Sequence, residues 1–148
     1  MKRGYIGIAL YEPKFEENLG TIFRSAMDFD VDFIATIGHR YKKQATDTTK
    51  TWKHIPLFHY KNAKDFLAHI PQDCELVSVE VDGAEQLETF QHPERAIYLF
   101  GGEDRSVPKA LQAHGKSVKI ATRFCLNLAV CASILMYDIQ AKLVAPSK

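Results

Sequence analysis

The stretch that decides the fold runs from residue 96 to residue 108 and reads Ala96-Ile97-Tyr98-Leu99-Phe100-Gly101-Gly102-Glu103-Asp104-Arg105-Ser106-Val107-Pro108. Its apolar half predicts a buried strand, and the two glycines allow positive φ and a close approach of the backbone. Two acids, a base and a proline that can begin a helix follow. Open α/β proteins bind their ligands at strand ends of this kind. The stretch therefore predicts a ligand-binding loop, with a plain charged turn as the alternative.

Other apolar runs predict further strands, and helical patterns alternate with them. The strands are predicted at residues 5–10, 32–37, 75–81, 96–100 and 117–120, with a weaker one at 57–60. Helices are predicted around residues 19–27, 63–70, 108–113 and 127–143. This alternation indicates an α/β fold with a mostly parallel sheet and helices on both faces. At 148 residues, we expect one domain over 1–148.

The formal net charge of +1 does not by itself point to nucleic acid or to a membrane. Locally, however, five basic side chains between residues 40 and 53 accompany a single acid, Asp47, together with Tyr41 and Trp52. The basic residues are Arg40, Lys42, Lys43, Lys50 and Lys53. Basic groups interleaved with aromatic rings suit a polyanion whose bases can stack on the rings. A solvated loop is the alternative interpretation.

The three cysteines, Cys74, Cys125 and Cys131, are odd in number and form no Cys-x-x-Cys pair. This argues against a disulfide framework or a zinc site and predicts a reducing, cytoplasmic compartment with no metal. No segment is long enough to span a bilayer, so we expect no membrane partner. The glycine patterns of dinucleotide and ATP sites are also absent.

The helix predicted at residues 127–143 has few polar positions on any face. A helix that is apolar all round is expected to be buried all round. In a small domain, one side can pack on the sheet while the other contacts a second subunit. We therefore expect a homodimer through this helix, with burial inside one chain as the alternative.

Two further segments carry candidate site residues. Asn18 is predicted to cap the first helix, where Arg24 lies one turn beyond Gly20 and leans back over it. A surface arginine on an amphipathic helix is the alternative. In the second segment, a strand leads through a short loop to Asn127, which is predicted to cap the last helix. Cys125 in that loop could simply be a small buried apolar residue.

Taken together, three motifs resemble one family. They are Asn-x-Gly-x-x-x-Arg at residues 18–24, Gly-x-Glu-x-x-x-x-Pro at 101–108 after an apolar strand, and Leu-Asn-x-x-x-x-Ala-Ser at 126–133. In this order and at these separations, they look like the motifs of the SPOUT (SpoU–TrmH) RNA 2′-O-methyltransferases. The length is similar to that of the minimal members, among them the enzymes that methylate the tRNA wobble ribose.

The resemblance implies a C-terminal deep trefoil knot, S-adenosylmethionine as cofactor, a homodimer, and methyl transfer to a ribose 2′-hydroxyl of tRNA or rRNA. It assigns cofactor binding to Val79, Gly101, Gly102, Ile120, Cys125 and Leu126. It makes Arg24 the catalytic arginine, supported by Asn18, Glu103 and Asn127. Because arginine is normally too basic for a general base, Arg24 is expected to anchor a phosphate and orient the hydroxyl. The proton acceptor is left open among phosphate, solvent and a transiently neutral Arg24.

Two positions depart from the family pattern. Cys125 stands where serine is usual, and Ser106-Val107 stands where glycine-leucine is usual. Serine adopts positive φ less readily than glycine, so we expect a different loop path at Ser106. These departures favour a second hypothesis, an RNA-binding protein that keeps the fold without the activity. A third, a small-molecule methyltransferase, fits less well with the basic stretch at residues 40–53.

Overall fold

The structure is a computed structural model that describes residues 4–39, 50 and 53–143. The strands are β1 (Tyr5–Tyr11), β2 (Phe33–Ile37), β3 (Leu57–Tyr60), β4 (Glu75–Val79), β5 (Glu85–Gln86), β6 (Arg95–Gly101) and β7 (Gly115–Lys119). The helices are α1 (Glu16–Asp28), α2 (Ala63–Ala68), α3 (Lys109–Gln112) and α4 (Leu128–Leu143), with a short 3₁₀ helix at Leu87–Thr89.

These strands form one sheet in the order β3-β2-β1-β6-β4-β7-β5, and every neighbouring pair is parallel. The pairing brings the carboxyl ends of the central strands together at one edge. Tyr11 lies beside Gly101, and Val79 lies between Phe100 and Val118. The prediction of an α/β fold with a mostly parallel sheet is confirmed, and this edge is where such folds bind ligands.

Helices cover both faces of the sheet, as predicted. Ile6, Ile8 and Leu10 of β1 belong to a buried cluster that includes the inner faces of α1 and α4. Ala9 belongs to the cluster on the opposite face, with Phe66 of α2. Because both faces of β1 are buried, its sequence is apolar throughout instead of alternating with polar residues.

Helix α4 buries one face and exposes another apolar face in the single chain. Its buried face carries Ala129, Ala132, Leu135, Met136 and Ile139. On the other side, Val130 is 48% exposed, Ile134 38% and Tyr137 63%. In the single chain, α4 is therefore buried on one side and keeps an uncovered apolar stripe on the other, whereas its composition predicted burial on all sides.

A buried polar network fixes the second half of α4. The imidazole of His92 contacts the Tyr98 hydroxyl through Nδ1 at 2.8 Å and the Asp138 carboxylate through Nε2 at 2.6 Å. Burial lowers the pKa of His92. The neutral ring can donate from Nε2 and accept the Tyr98 hydroxyl proton at Nδ1. Lys142 pairs with Asp138 at 2.9 Å and donates to the carbonyl of Phe90.

Two sequence predictions about local structure were wrong, and one strand was missed. Strand β4 ends at Val79, because Glu80 turns inward and Val81 is 70% exposed. The two-residue strand β5 was not predicted at all. Helix α1 begins at Glu16, so Asn18 lies in its first turn and is not its N-cap. The N-cap is Phe15, which makes no side-chain capping bond.

Candidate active site

A cavity of about 580 Å³ opens at the carboxyl edge of the sheet. Four loops contribute to it: the β1–α1 loop (residues 12–15), the β4–β5 loop (80–84), the β6–α3 loop (102–108) and the β7–α4 loop (120–127). All six predicted cofactor-binding residues line this cavity: Val79, Gly101, Gly102, Ile120, Cys125 and Leu126. The structure therefore brings together residues that lie up to 47 positions apart in the sequence.

The two glycines are needed because backbone packs directly against them. A Cβ atom on Gly101 would lie 2.2 Å from the carbonyl oxygen of Arg105, and one on Gly102 would lie 2.4 Å from that of Glu12. Gly101, Gly102 and Ser106 do not have positive φ, so the loop does not use the conformational freedom that the two glycines allow. The close approach is real, but it is made by the chain's own backbone.

Glu103 joins the β6–α3 loop to the start of α1. Its carboxylate accepts hydrogen bonds from the backbone amides of Lys14 at 2.9 Å and Phe15 at 2.8 Å. These amides lie at the positive end of the helix, where a carboxylate is favoured. Glu103 lines the cavity, but its carboxylate is used to hold the helix start in place.

Two exposed ion pairs join the same two loops. Arg105 Nη1 lies 2.9 Å from Glu12 Oε2, and Lys14 Nζ lies 3.3 Å from Asp104 Oδ2. Each pair contributes little alone, since exposed ion pairs are worth about 0–1 kcal/mol. With the Glu103 bonds and the Gly102 contact, they give the two loops one fixed arrangement.

Asn127 and Asn18 connect α4 to α1 at the cavity rim. Asn127 Oδ1 accepts from the amides of Ala129 at 2.9 Å and Val130 at 3.2 Å. The prediction that Asn127 caps α4 is therefore confirmed. Asn127 Nδ2 donates to Asn18 Oδ1 at 3.2 Å. This bond gives Asn18 a contact between helices in place of the predicted capping role.

Glu80 is a cavity residue that the sequence interpretation missed. It is only 8% exposed, and its Oε1 accepts a 2.6 Å hydrogen bond from the amide of Val107. Burial raises the pKa of Glu80, while the Val107 bond opposes that rise. The sequence did contain a signal for Glu80, because it is an acid within an apolar run. The prediction of a strand over residues 75–81 treated Glu80 as an ordinary strand residue.

Two cysteines line the cavity in different settings. Cys131 on α4 is half-buried, and burial raises its pKa to about 11, so it is a neutral thiol at physiological pH. Cys125 is exposed in the β7–α4 loop. The interpretation of Cys125 as a buried apolar residue was wrong.

Arg24 is not among the residues that line this cavity. It lies on the exposed side of α1, one turn after the buried Gly20. The structure thus brings Asn18, Glu103 and Asn127 to one cavity and leaves Arg24 outside it. Of the predicted RNA-binding residues, Lys50 and Lys53 are exposed, while Arg40, Lys42 and Lys43 lie outside the described residues.

A family model described as the SpoU rRNA Methylase family matches residues 5–137. The chain belongs to this family. A comparison with curated proteins gave no match.

Solved structures share the SpoU fold of this chain along nearly its whole length. One, described as giving structural insights into the 2-OH methylation of C/U34 on tRNA, is 22% identical with a TM-score of 0.84, and the match covers 96% of this chain and 98% of that one. The SpoU methyltransferase AviRb from Streptomyces viridochromogenes, in complex with AdoMet, is 18% identical with a TM-score of 0.83. That match covers 97% of this chain and 59% of AviRb. An AdoMet-bound rRNA methyltransferase from Sinorhizobium meliloti is 20% identical with a TM-score of 0.81. That match covers 97% of this chain and 57% of the other.

As a SpoU family RNA methyltransferase, the chain uses S-adenosylmethionine. The cavity fits this cofactor in size, since ligand pockets commonly measure about 300–1,000 Å³. It also fits in chemistry. The apolar Val79, Ile120 and Leu126 suit the adenine ring, and the buried acid Glu80 suits a cationic ligand.

Two absences concern the described residues alone. Within residues 4–39, 50 and 53–143, no three or more His, Cys, Asp or Glu side chains are grouped so that they could hold a metal ion. In the same part of the chain, no helix combines the length and the apolar character needed to cross a membrane.

Proposed function

We propose that this SpoU family protein transfers a methyl group to a ribose 2′-hydroxyl of RNA, with tRNA as the preferred substrate and rRNA as the second choice. The observation that carries the proposal is that residues from all three sequence motifs, Asn18, Glu103 and Asn127, line one cavity. The preference for tRNA rests on the relative described for 2-OH methylation of C/U34 on tRNA, which matches this chain in length.

In this proposal, the cofactor lies among Val79, Gly101, Gly102, Ile120, Cys125 and Leu126. When bound, it supplies a methyl group already activated by the adjacent sulfonium. The protein contributes alignment, because in-line placement of hydroxyl oxygen, methyl carbon and sulfur is a large part of such catalysis. Glu103 acts as a positioning residue through the amides of Lys14 and Phe15. Asn18 and Asn127 position the two helices.

Arg24 is proposed to act in the cavity of a second copy of the chain. It lies outside its own cavity, and α1 and α4 together border a groove of about 510 Å³ that includes the exposed side chains Val130, Ile134 and Tyr137. A homodimer that covers this groove would bury the apolar stripe of α4. In that dimer, Arg24 of one copy would hold an RNA phosphate at the cavity of the other and orient the hydroxyl. The trefoil knot and the cytoplasmic location remain predictions.

The test begins with nucleoside mass spectrometry of bulk RNA from cells with and without the gene. Loss of one 2′-O-methyl nucleoside identifies the RNA for transfer assays. Arg24→Ala is then expected to reduce methyl transfer at least about 100-fold with unchanged S-adenosylmethionine affinity, because only positioning is lost. Arg95→Ala is the matched control, since Arg95 is exposed at the opposite end of the sheet. Near-wild-type transfer by Arg24→Ala would exclude the proposed role.

The second hypothesis, an RNA-binding protein without activity, rests on Cys125, which is exposed at the cavity where the family usually has serine. A thiol is a weaker hydrogen-bond donor than a hydroxyl. Calorimetry with S-adenosylmethionine distinguishes the two functions. Absence of binding, with RNA present as well, would favour the inactive protein.

A further inference from the structure

Two exposed phenyl rings lie at the cavity rim and have no role in the proposed transfer. Phe15, in the β1–α1 loop, lines the cavity and is 51% exposed. Phe124, in the β7–α4 loop, lies between Thr122 and Cys125, both of which line the cavity. At 75%, Phe124 has the highest exposed fraction of the large apolar side chains that the structure describes.

Each ring carries a cation over it. Lys14 Nζ lies 5.4 Å from the centre of the Phe15 ring, and Arg123 Cζ lies 5.3 Å from that of Phe124. These distances are within the range of cation–π attraction. The two cations differ in their other contacts. Lys14 is paired with Asp104, whereas no described residue forms an ion pair with Arg123.

A planar, anionic ligand matches this arrangement. A cation over one face of a ring does not occupy the opposite face, and the Phe124 side chain is 75% exposed. Nucleobases stack on aromatic side chains without regard to sequence, and the nearby phosphates attract guanidinium groups. An apolar peptide would gain nothing from Arg123. Only an unpaired nucleotide can offer a free base to the ring, because bases in a duplex are already stacked.

We propose that Phe124 stacks on the base of an unpaired RNA nucleotide next to the cavity, while Arg123 contacts its phosphate. Phe15 and Lys14 form a second stacking position on another rim loop. The proposal rests on the proposed function, and it defines the substrate class as single-stranded RNA segments such as loops.

The test measures binding to a single-stranded RNA oligonucleotide that contains 2-aminopurine, whose fluorescence is quenched when the base stacks, and to the duplex form of the same sequence. Phe124→Ala is expected to raise the Kd for the single strand at least about fivefold, the lower limit for loss of one stacked base. Phe124→Trp is expected to retain binding and quenching. The duplex should bind more weakly than the single strand to the wild-type protein.

Phe58→Ala is the matched control. Phe58 is 47% exposed on strand β3, packs on Phe33 at 5.9 Å, and is not among the residues lining the cavity. Its RNA affinity should equal that of the wild type. Calorimetry with S-adenosylmethionine should give the same Kd for Phe124→Ala and wild type, which shows that the cavity is intact.

Two outcomes would overturn the inference: unchanged single-strand affinity in Phe124→Ala, or an equal loss in Phe58→Ala. If the affinity is unchanged and Phe124→Ala also converts a dimer to a monomer, Phe124 is a subunit contact. Failure of the proposed function gives a different result from failure of this inference. In that case, the wild type binds and quenches the oligonucleotide but transfers no methyl group to tRNA or rRNA.

Discussion

The β6–α3 loop and the β7–α4 loop line the same cavity but are held in different ways. The first is packed against other backbone at Gly101 and Gly102, and Glu103 joins it to amides 88–89 positions earlier in the chain. In the second, residues 121–125 are all exposed. The hydrogen bond described within this exposed part is local, from Thr122 Oγ1 to the carbonyl of Phe124 at 2.6 Å. The loop's long-range bond is made at its end, from Asn127 to Asn18.

Because the two loops are held differently, we expect them to have different functions. A loop whose backbone is fixed on both sides keeps its amides and carbonyls in place for a small ligand without further loss of entropy on binding. A loop with exposed, weakly held side chains can adapt to a larger and more variable partner. In the proposed enzyme, the fixed loop serves the cofactor and the open loop meets the RNA.

Gly102→Ala, in the fixed β6–α3 loop, should cause the largest loss of stability. The new Cβ would lie 2.4 Å from the Glu12 carbonyl oxygen, so one of the two loops must move. We expect the free energy of unfolding to fall by about 1–3 kcal/mol and the affinity for S-adenosylmethionine to decrease. Urea denaturation and calorimetry measure both. If Phe124→Ala in the open loop costs as much stability, the two loops do not differ as described.

Glu103→Gln should have a smaller effect. It keeps the shape of the side chain and one acceptor oxygen, but it loses the charge and one of the two bonds to the amides of Lys14 and Phe15. A loss of about 1–2 kcal/mol is expected, since bonds to charged groups contribute more than neutral ones. Asp104→Asn, next in the loop and exposed, is the control and should change stability by less, about 0–1 kcal/mol. Equal losses in the two variants would contradict the role given to Glu103.

Glu80→Gln should have the smallest effect, and the effect should depend on pH. Because burial raises the pKa of Glu80 above its usual 4.5, the folded protein retains this proton at pH values where the unfolded chain has released it. Its contribution to the free energy of unfolding therefore falls as the pH rises from about 4.5 through the folded pKa. The uncharged glutamine keeps an acceptor for the Val107 amide, so this variant should melt above the wild type at pH 8 without cofactor.

The melting temperatures of the two proteins should converge below pH 4.5, where Glu80 is protonated in both states. Glu85→Gln, on the exposed strand β5, is the control and should not reproduce the pH-dependent difference. A constant difference between Glu80→Gln and wild type at all pH values would show that Glu80 acts only through packing.

The sequence predicted the central strands well because burial on both faces makes them apolar throughout. The predictions for residues 5–10 and 96–100 each fall within one residue of β1 and β6. Strand β5 is two exposed polar residues, and it exists only through pairing with Val118 and Lys119 of β7. No periodicity within β5 itself could have revealed it.

The candidate site was predicted through motif spacing, and its contacts were not. The resemblance identified Glu103 and Asn18, but the amides that Glu103 binds are 88–89 residues away. Local capping rules therefore favoured Asn18 as the helix cap, although distant Glu103 satisfies the amides before α1. Glu80 was missed for a related reason, since its turn into the cavity depends on the Val107 amide 27 residues later.

The position of β1 in the sheet also has a consequence for synthesis of the protein. Tyr5 pairs with Arg95 of β6, which the ribosome adds 90 residues later. At about 5–20 residues per second, β1 waits several seconds or more with one edge unpaired. An apolar strand with a free edge can pair with the wrong partner during that time. The same register that places Tyr11 beside Gly101 thus leaves β1 without its β6 partner until most of the chain has been made.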